Sequence, residues 1–344
     1  MSKVEIKVQF ETITPLWTGD AWMGNNEIRP SSLIGSLRFW FEVICYFGGV
    51  CSAKDFDKEK GRFEKDIKNE SIRKELLKHG TDFDGQISAL KDLKIPIPAI
   101  VFGTTGLKSL IEIHGIRYLN DYCFGNKLNL PSKFCISKNG NKEVKENNEC
   151  PNRSNNDWSV FYFKIPYFYG KFEVVFKVHN QIKDSIFFPL LTFMDKYGYW
   201  GGGWNIGYGR LKILSVYSQN GDWKEEGKFD FSKFVNFESV INNCIEKIQN
   251  LNSLKDKELK IEYWTKKFNS QPIKDILKEL IKDKATLRKN ASNQKQRHYI
   301  FGKTGNIQDE DLPQGSKIFP YINKLDNNSY ECGLLSISGV LNLY

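Results

Sequence analysis

From Trp200 to Arg210 the chain reads Trp-Gly-Gly-Gly-Trp-Asn-Ile-Gly-Tyr-Gly-Arg, with glycine at 201, 202, 203, 207 and 209. Such a run permits backbone conformations and close approaches that a Cβ forbids. Its flanks constrain the fold further. Ser185 to Tyr197 carries Phe187, Leu190, Leu191 and Met194 at helical spacing, and Leu211 to Tyr217 reads as a strand. The order is therefore helix, loop, strand. A dinucleotide site needs a strand before its glycines and a helix after them. No Gly-Lys-Ser/Thr follows that could form a P-loop. Two readings stay open. The loop is a nest of N–H groups for a phosphate, with Trp200, Trp204 and Tyr208 as stacking faces and Asn205 and Arg210 as polar contacts. Alternatively, it is a tight helix-to-strand connection packed by its own aromatics.

The N-terminal part supplies the rest of an α+β pattern. Val4, Ile6, Val8, Phe10 and Thr12 alternate as in a half-buried strand. Arg29-Pro30-Ser31-Ser32 looks like a helix start, and Leu33, Leu37, Trp40, Phe41 and Ile44 follow on one helical face until Gly48-Gly49. Gly35 is unfavourable inside that helix, so another element or a polynucleotide is expected to approach its backbone. Arg38 precedes Glu42 by four residues and suits either an intrahelical pair or a polynucleotide contact, as do Arg29, Ser32 and Trp40 at the same helix. Ser52 to Lys94 is charged with balanced signs and reads as a surface insertion. Pro96 to Phe102 and Leu107 to Gly115 read as two strands of a hairpin turned by Gly103-Thr104-Thr105-Gly106, with Thr104, Thr105 and Lys108 available to a phosphate. Asn120 to Asp157 reads as a long loop, and Val160 to Ile165 and Phe172 to Val178 as strands. Together these predict a ferredoxin-like βαββαβ sheet over residues 1–217. Residues 218–344 predict helices at Phe234 to Leu251, Leu254 to Phe268 and Ile273 to Lys289. Strands follow at His298 to Phe301, Lys317 to Leu325 and Tyr330 to Leu341. This is a second ferredoxin-like module, interdigitated with the first.

Charge points to an acidic partner. The chain carries a net +9, and from Ser253 to Lys303 there are 14 Lys/Arg against 6 Asp/Glu. Lys295, Arg297, His298, Lys303 and Lys317, interleaved with Tyr299, suit single-stranded RNA; lysine-rich solvated helices are the plainer reading of the same run. The seven cysteines show no C-x-x-C pair and argue against a disulfide framework and a zinc knuckle. No run nears the roughly 20 apolar residues of a membrane span, and the N-terminus lacks a signal-peptide core. A cytoplasmic protein with no membrane partner is expected. The four histidines have no local metal spacing, and no G-x-S-x-G elbow occurs. Neither a catalytic residue, a metal nor a cofactor is therefore assigned. Asp20, between Trp17 and Trp22, is the one acid worth testing for a metal, a loop cap being the preferred reading.

Glu11-Thr12-Ile13-Thr14-Pro15-Leu16-Trp17-Thr18-Gly19 followed by Arg29-Pro30-Ser31-Ser32-Leu33-Ile34-Gly35-Ser36-Leu37-Arg38-Phe39-Trp40-Phe41 resembles the opening of the RAMP superfamily of CRISPR proteins, and within it the first subunits of type III-B Cmr effector complexes. Phe102 to Ser109 resembles that family's Phe-Gly turn, and Gly201 to Arg210 its glycine-rich loop. The resemblance implies a non-catalytic subunit of an RNA-silencing ribonucleoprotein. Such a subunit would contact guide or target RNA near the guide 3′ end and dock on other Cmr subunits. Two alternatives remain: a metal-independent endoribonuclease that matures guide RNA through His298 or a tyrosine, and a purely structural docking subunit.

Overall fold

The computed structural model describes residues 3–19, 24–47, 50–138, 143–155, 157–218, 266–269, 271–290, 297, 301–302, 316–326 and 329–336. It is a mixed helix-and-strand fold. Strand β1 (Lys3–Thr12) leads to helix α1 (Pro30–Phe47). The hairpin β2 (Phe56–Asp57) and β3 (Arg62–Phe63) follows, then α2 (Asn69–His79), α3 (Phe83–Asp92) and α4 (Ile97–Phe102). Next come β4 (Ile111–Tyr118), β5 (Phe124–Gly125), β6 (Lys133–Ser137), β7 (Val144–Glu146), β8 (Trp158–Tyr162), β9 (Tyr167–Phe168) and β10 (Lys171–His179). A short α5 (Asn180–Ile182) runs through a π-helical turn, Lys183–Phe187, into α6 (Phe188–Lys196), and β11 (Leu211–Ser218) follows. Last are β12 (Lys266–Asn269), α7 (Ile273–Asn290), β13 (Ile318–Lys324) and β14 (Ser329–Ser336).

The principal sheet has the order β11-β1-β10-β4, with every neighbouring pair antiparallel. The alternation read in β1 sets its inner face: Ile6, Val8 and Phe10 are buried with Phe172, Val174, Phe176 and Val178 of β10. Against them pack Leu33, Leu37, Trp40, Phe41 and Ile44 of α1 and the apolar side of α6. Burying a large aliphatic or aromatic side chain contributes about 1.5–3 kcal/mol, so this layer carries most of the local stability.

Several segments differ from the sequence expectation. Ser52 to Lys94 is more than a surface insertion, because Phe63, Ile67, Ile87 and Leu90 join the main core while the charges stay outside. Pro96 to Phe102 is not a strand. Its helix α4 is buried at every position, so no polar residue marks a period and an apolar run of this length reads either way. The Thr104–Leu107 turn does form, its two backbone hydrogen bonds 3.1 and 2.9 Å long, but it links a helix to β4. Asn120 to Asp157 is not a loop; β6 pairs with β7 and β8, and Cys135 is disulfide-bonded to Cys150 with Cα atoms 5.8 Å apart.

A second sheet, β12-β14-β13, is covered by α7. The helix expected at Ile273 to Lys289 is present, but the end of the one expected to reach Phe268 is strand β12. Phe301, expected in a strand, is helical. The helix expected at Phe234 to Leu251 lies outside the described residues. The two sheets meet at the end of α6: Tyr199 Oη donates to Pro320 O (2.9 Å) and Tyr321 Oη to Lys196 O (3.2 Å).

Candidate nucleic-acid interface

The glycine-rich loop is folded against its own chain. Gly201 (φ +67°) and Gly209 (φ +88°) hold left-handed conformations in which a Cβ would overlap the carbonyl oxygens of Trp17 and Trp200. Their N–H groups are spent internally. Gly201 donates to Ser36 Oγ (2.9 Å), Gly202 to Trp17 O (2.8 Å), Gly207 to Trp204 O (2.9 Å) and Gly209 to Pro15 O (2.8 Å). These four cannot also cradle a phosphate, which corrects the nest reading.

Arg210 is likewise internal, at 0% exposure. Its guanidinium donates to the carbonyls of Gly198, Met194 (3.5 Å), Asp195 (3.0 Å) and Lys196 (3.1 Å), and to Ile322 O across the sheet junction (3.3 Å). A cation at the carboxyl end of α6 satisfies carbonyls that the helix leaves open and complements its dipole. Tyr199 and Tyr321 lie 5.4 and 5.1 Å from the guanidinium. Trp40, Trp200 and Tyr208 are also core residues. Trp40 Nε1 donates to Tyr199 O (3.1 Å) and Tyr208 Oη to Lys164 O (3.2 Å). None of these four can stack or pair with an external base, contrary to the sequence expectation.

The other expected contacts divide. Arg38 makes the intrahelical pair with Glu42 (2.8 Å) and also binds Gly103 O (3.0 Å) and Glu64 (3.1 Å), so it ties α1 to its neighbours. Ser32 Oγ donates to Thr18 O (3.4 Å), and Arg29 is half-buried at the start of α1. Thr104 is half-buried, with Oγ1 on Lys65 O (3.2 Å), and Thr105 is exposed. Lys108 is exposed and paired with Glu112 at 3.3 Å. Asn205 is exposed, and Arg297 and Lys317 are partly buried. Asp20, Lys295, His298 and Lys303 lie outside the described residues.

What remains at the surface forms a ridge. Ser31, Gly35 and Phe39 fall at i, i+4 and i+8 on the outer face of α1, and among the described residues no atom beyond the neighbouring backbone of α1 lies within 4 Å of where a Gly35 Cβ would stand. No other described element therefore approaches the Gly35 backbone. Phe39 is 37% exposed and meets the half-buried Trp204 edge-on, ring centroids 5.0 Å apart. Trp204 Nε1 is buried without a hydrogen-bond partner among the described residues, a costly state for a donor.

Beside this ridge α7 brings basic groups that the sequence reading did not single out. Lys284 Nζ donates to Asn205 O (3.2 Å) and stands 5.9 Å from the Phe319 ring. Arg288 follows one turn later, a like-charge i,i+4 pair that is unfavourable by itself. Burial, then Arg288, pushes the Lys284 ammonium down to about 7. Burial, then Arg297, lowers Arg288, and burial lowers Lys317. Every one of these influences opposes the charge; no carboxylate is among them. Lys284 is buried, Lys317 half-buried and Arg288 exposed, and positive charge gathered in this way attracts anions. The visible signal was the Lys/Arg excess from Ser253 to Lys303, but only the α7 register places Lys284 at the loop, with Arg288 one turn on.

Glu75, His79 and Asp92, on α2 and α3, have ligand atoms within 4.8 Å of one another. Lys78 Nζ already bridges the two carboxylates at 3.2 and 2.9 Å. The buried His179 stacks on Phe83 (4.4 Å) and accepts from Gln181 N (3.4 Å), a structural role.

A sequence model of the RAMP superfamily matches residues 9–212. No curated protein is significantly similar in sequence. Among solved structures, apo Cmr1 from Pyrococcus furiosus is similar over 96% of this chain and 87% of its own, at 14% identity and TM-score 0.41. A chain of the type III-B Cmr-beta complex bound to cognate target RNA is similar over 99% and 98%, at 13% identity and TM-score 0.47. Cmr6 from Pyrococcus furiosus is similar over 62% and 100%, at 14% identity and TM-score 0.27.

Proposed function

The chain belongs to the RAMP superfamily, and from that premise we propose that it is a non-catalytic, RNA-contacting subunit of a type III-B CRISPR (Cmr) ribonucleoprotein. In this reading it touches guide or target RNA near the guide 3′ end, docks on other Cmr subunits and works in the cytoplasm. The principal sheet with α1 and α6 serves as one ferredoxin-like module, and the second sheet with α7 as part of another. The observation that carries the proposal is the aromatic ridge Phe39–Trp204 beside Lys284 and Arg288. Aromatic faces take bases, and the cations of α7 take the phosphates between them, with little regard to sequence. Base pairing elsewhere in the particle supplies specificity.

The test is single-stranded RNA binding across a salt series. Stacking is worth about 1–3 kcal/mol per base, so Trp204→Ala should weaken binding by roughly five- to a hundredfold. Arg288→Ala should weaken all sequences alike and flatten the log–log salt slope by about 0.7. Unchanged affinity and slope in both variants would favour a structural docking role. Clean cleavage of repeat RNA by the purified chain would favour the endoribonuclease reading.

A further inference from the structure

At the end of β1, where the β13–β14 hairpin comes alongside, the surface encloses a cavity of about 110 Å³. A single water needs about 10–15 Å³ of such space, so the hollow suits a group of several heavy atoms, the size of a sugar ring. Its polar lining is Glu11, Asn120, Tyr169, Lys171, Lys324 and Tyr330, with Thr12, whose Oγ1 is spent on Gly170 O (3.2 Å). Glu11 Oε2 accepts from Lys324 Nζ at 3.0 Å, and its second oxygen has no partner among the described residues. The hydroxyls of Tyr169 and Tyr330 also lack one there. Burial raises both phenols above their ordinary range, so they remain protonated donors. Asn120 Oδ1 is taken by Lys171 N (2.8 Å), which leaves its NH₂ to donate. Lys171 itself is exposed.

This is one free carboxylate oxygen and several donors around a small hollow, with a cation beside it. A ribose fits that set. Its 2′-hydroxyl donates to a carboxylate, as in other ribose sites, and its oxygens accept from the phenols and the amide. An apolar group would leave all of them unpaired. The Lys324 ammonium neutralises Glu11, and Lys171 adds a positive charge, so an adjacent phosphate is not repelled.

We propose that this cavity receives the ribose of a bound strand, with Glu11 accepting from the 2′-hydroxyl and Tyr169 and Tyr330 donating to the sugar, and that it makes the chain prefer RNA to DNA. The inference rests on the RNA-contacting reading and adds a determinant of sugar type that the Trp204–Arg288 surface lacks.

The experiment measures the affinity of the full chain for matched single-stranded RNA, DNA and 2′-O-methyl RNA. The wild-type chain binds RNA about tenfold or more tightly than either analogue, the worth of a hydrogen bond to a charged group. Glu11→Gln, and Tyr169→Phe with Tyr330→Phe, lose that advantage and leave DNA affinity unchanged, whereas Arg288→Ala lowers RNA and DNA together. Equal wild-type affinity for RNA and its analogues overturns the proposal without any variant, as does discrimination that survives in both pocket variants. Should the wild-type chain bind none of the three, the RNA-contacting reading falls first and the cavity assignment with it. Binding that persists without discrimination removes the cavity assignment alone.

Discussion

At the scale of single residues, Arg210 carries the sharpest consequence. Its guanidinium closes the carboxyl end of α6 and reaches Ile322 O in the second sheet. Removing it strands several buried carbonyls, each worth about 1–3 kcal/mol. Arg210→Ala should therefore cost about 3 kcal/mol or more in urea unfolding, and Arg210→Lys, with one compact cation in place of a fork of donors, should recover little of it. A surface arginine would instead leave stability intact and change only RNA affinity. The same residue marks how far sequence reading reaches. Glycines, aromatics and an arginine compose a base-stacking platform and an internally packed connection equally well. Tyr321 and Ile322 decide between them from more than a hundred positions downstream, and no local pattern announces them.

At the scale of elements, α1 and α7 face the same surface for different reasons. The α1 periodicity was readable because its buried positions are apolar and its ends are punctuated, and the helix spans Pro30–Phe47. By contrast α4 was unreadable, since total burial erases the polar half of the pattern. Gly35 sits on open α1 surface, so Gly35→Ala should raise helix stability by about 0.5–1 kcal/mol. If RNA lies against this face, the same change weakens binding, and opposite signs in thermal unfolding and RNA titration are the expected outcome. In α7 the buried Lys284 titrates at about 7, against an unfolded value near 10.4. Below about pH 7 both states are protonated, and the fold bears the full cost of the buried charge. Between about pH 7 and 10 the unfolded chain holds a proton that the folded chain has released, so stability rises with pH. Lys284→Met should thus stabilise the protein at about pH 6, with the gain gone by about pH 10, as read from urea midpoints. RNA affinity of the wild-type chain should fall across the same lower window as the ammonium is lost, and the Met variant should not follow it.

At the scale of the whole molecule, the two sheets share apolar cores. One cluster joins Ile13, Tyr167, Ile206 and Tyr208 of the first part to Ile276, Leu277, Leu280, Ile318 and Ile322 of the second. The main core in turn takes in Phe319, Tyr321 and Leu335. Gly207 is part of the same fit: a Cβ there would meet Leu277 Cδ2 at 2.8 Å and Pro320 Cβ at 3.0 Å. The loop that carries Trp204 is thus set between the segment after β1, at Pro15 and Trp17, on one side and α7 with β13 on the other. Cutting the chain after Ser218 would expose Tyr199, Tyr208 and Ile206 and free the Arg210 fork from Ile322. We therefore expect residues 1–218 alone to bind hydrophobic dyes and to unfold without a cooperative transition, while the full chain unfolds in one step by circular dichroism and by tryptophan fluorescence. Coincident transitions in the full chain, with no dye binding, place the ridge and the basic face of α7 on one rigid body, which an RNA strand spanning Phe39, Trp204 and Arg288 requires. A truncated chain that melts sharply at the midpoint of the parent would mean that the first sheet stabilises itself. The α7 cations would then be free to move relative to the aromatic ridge.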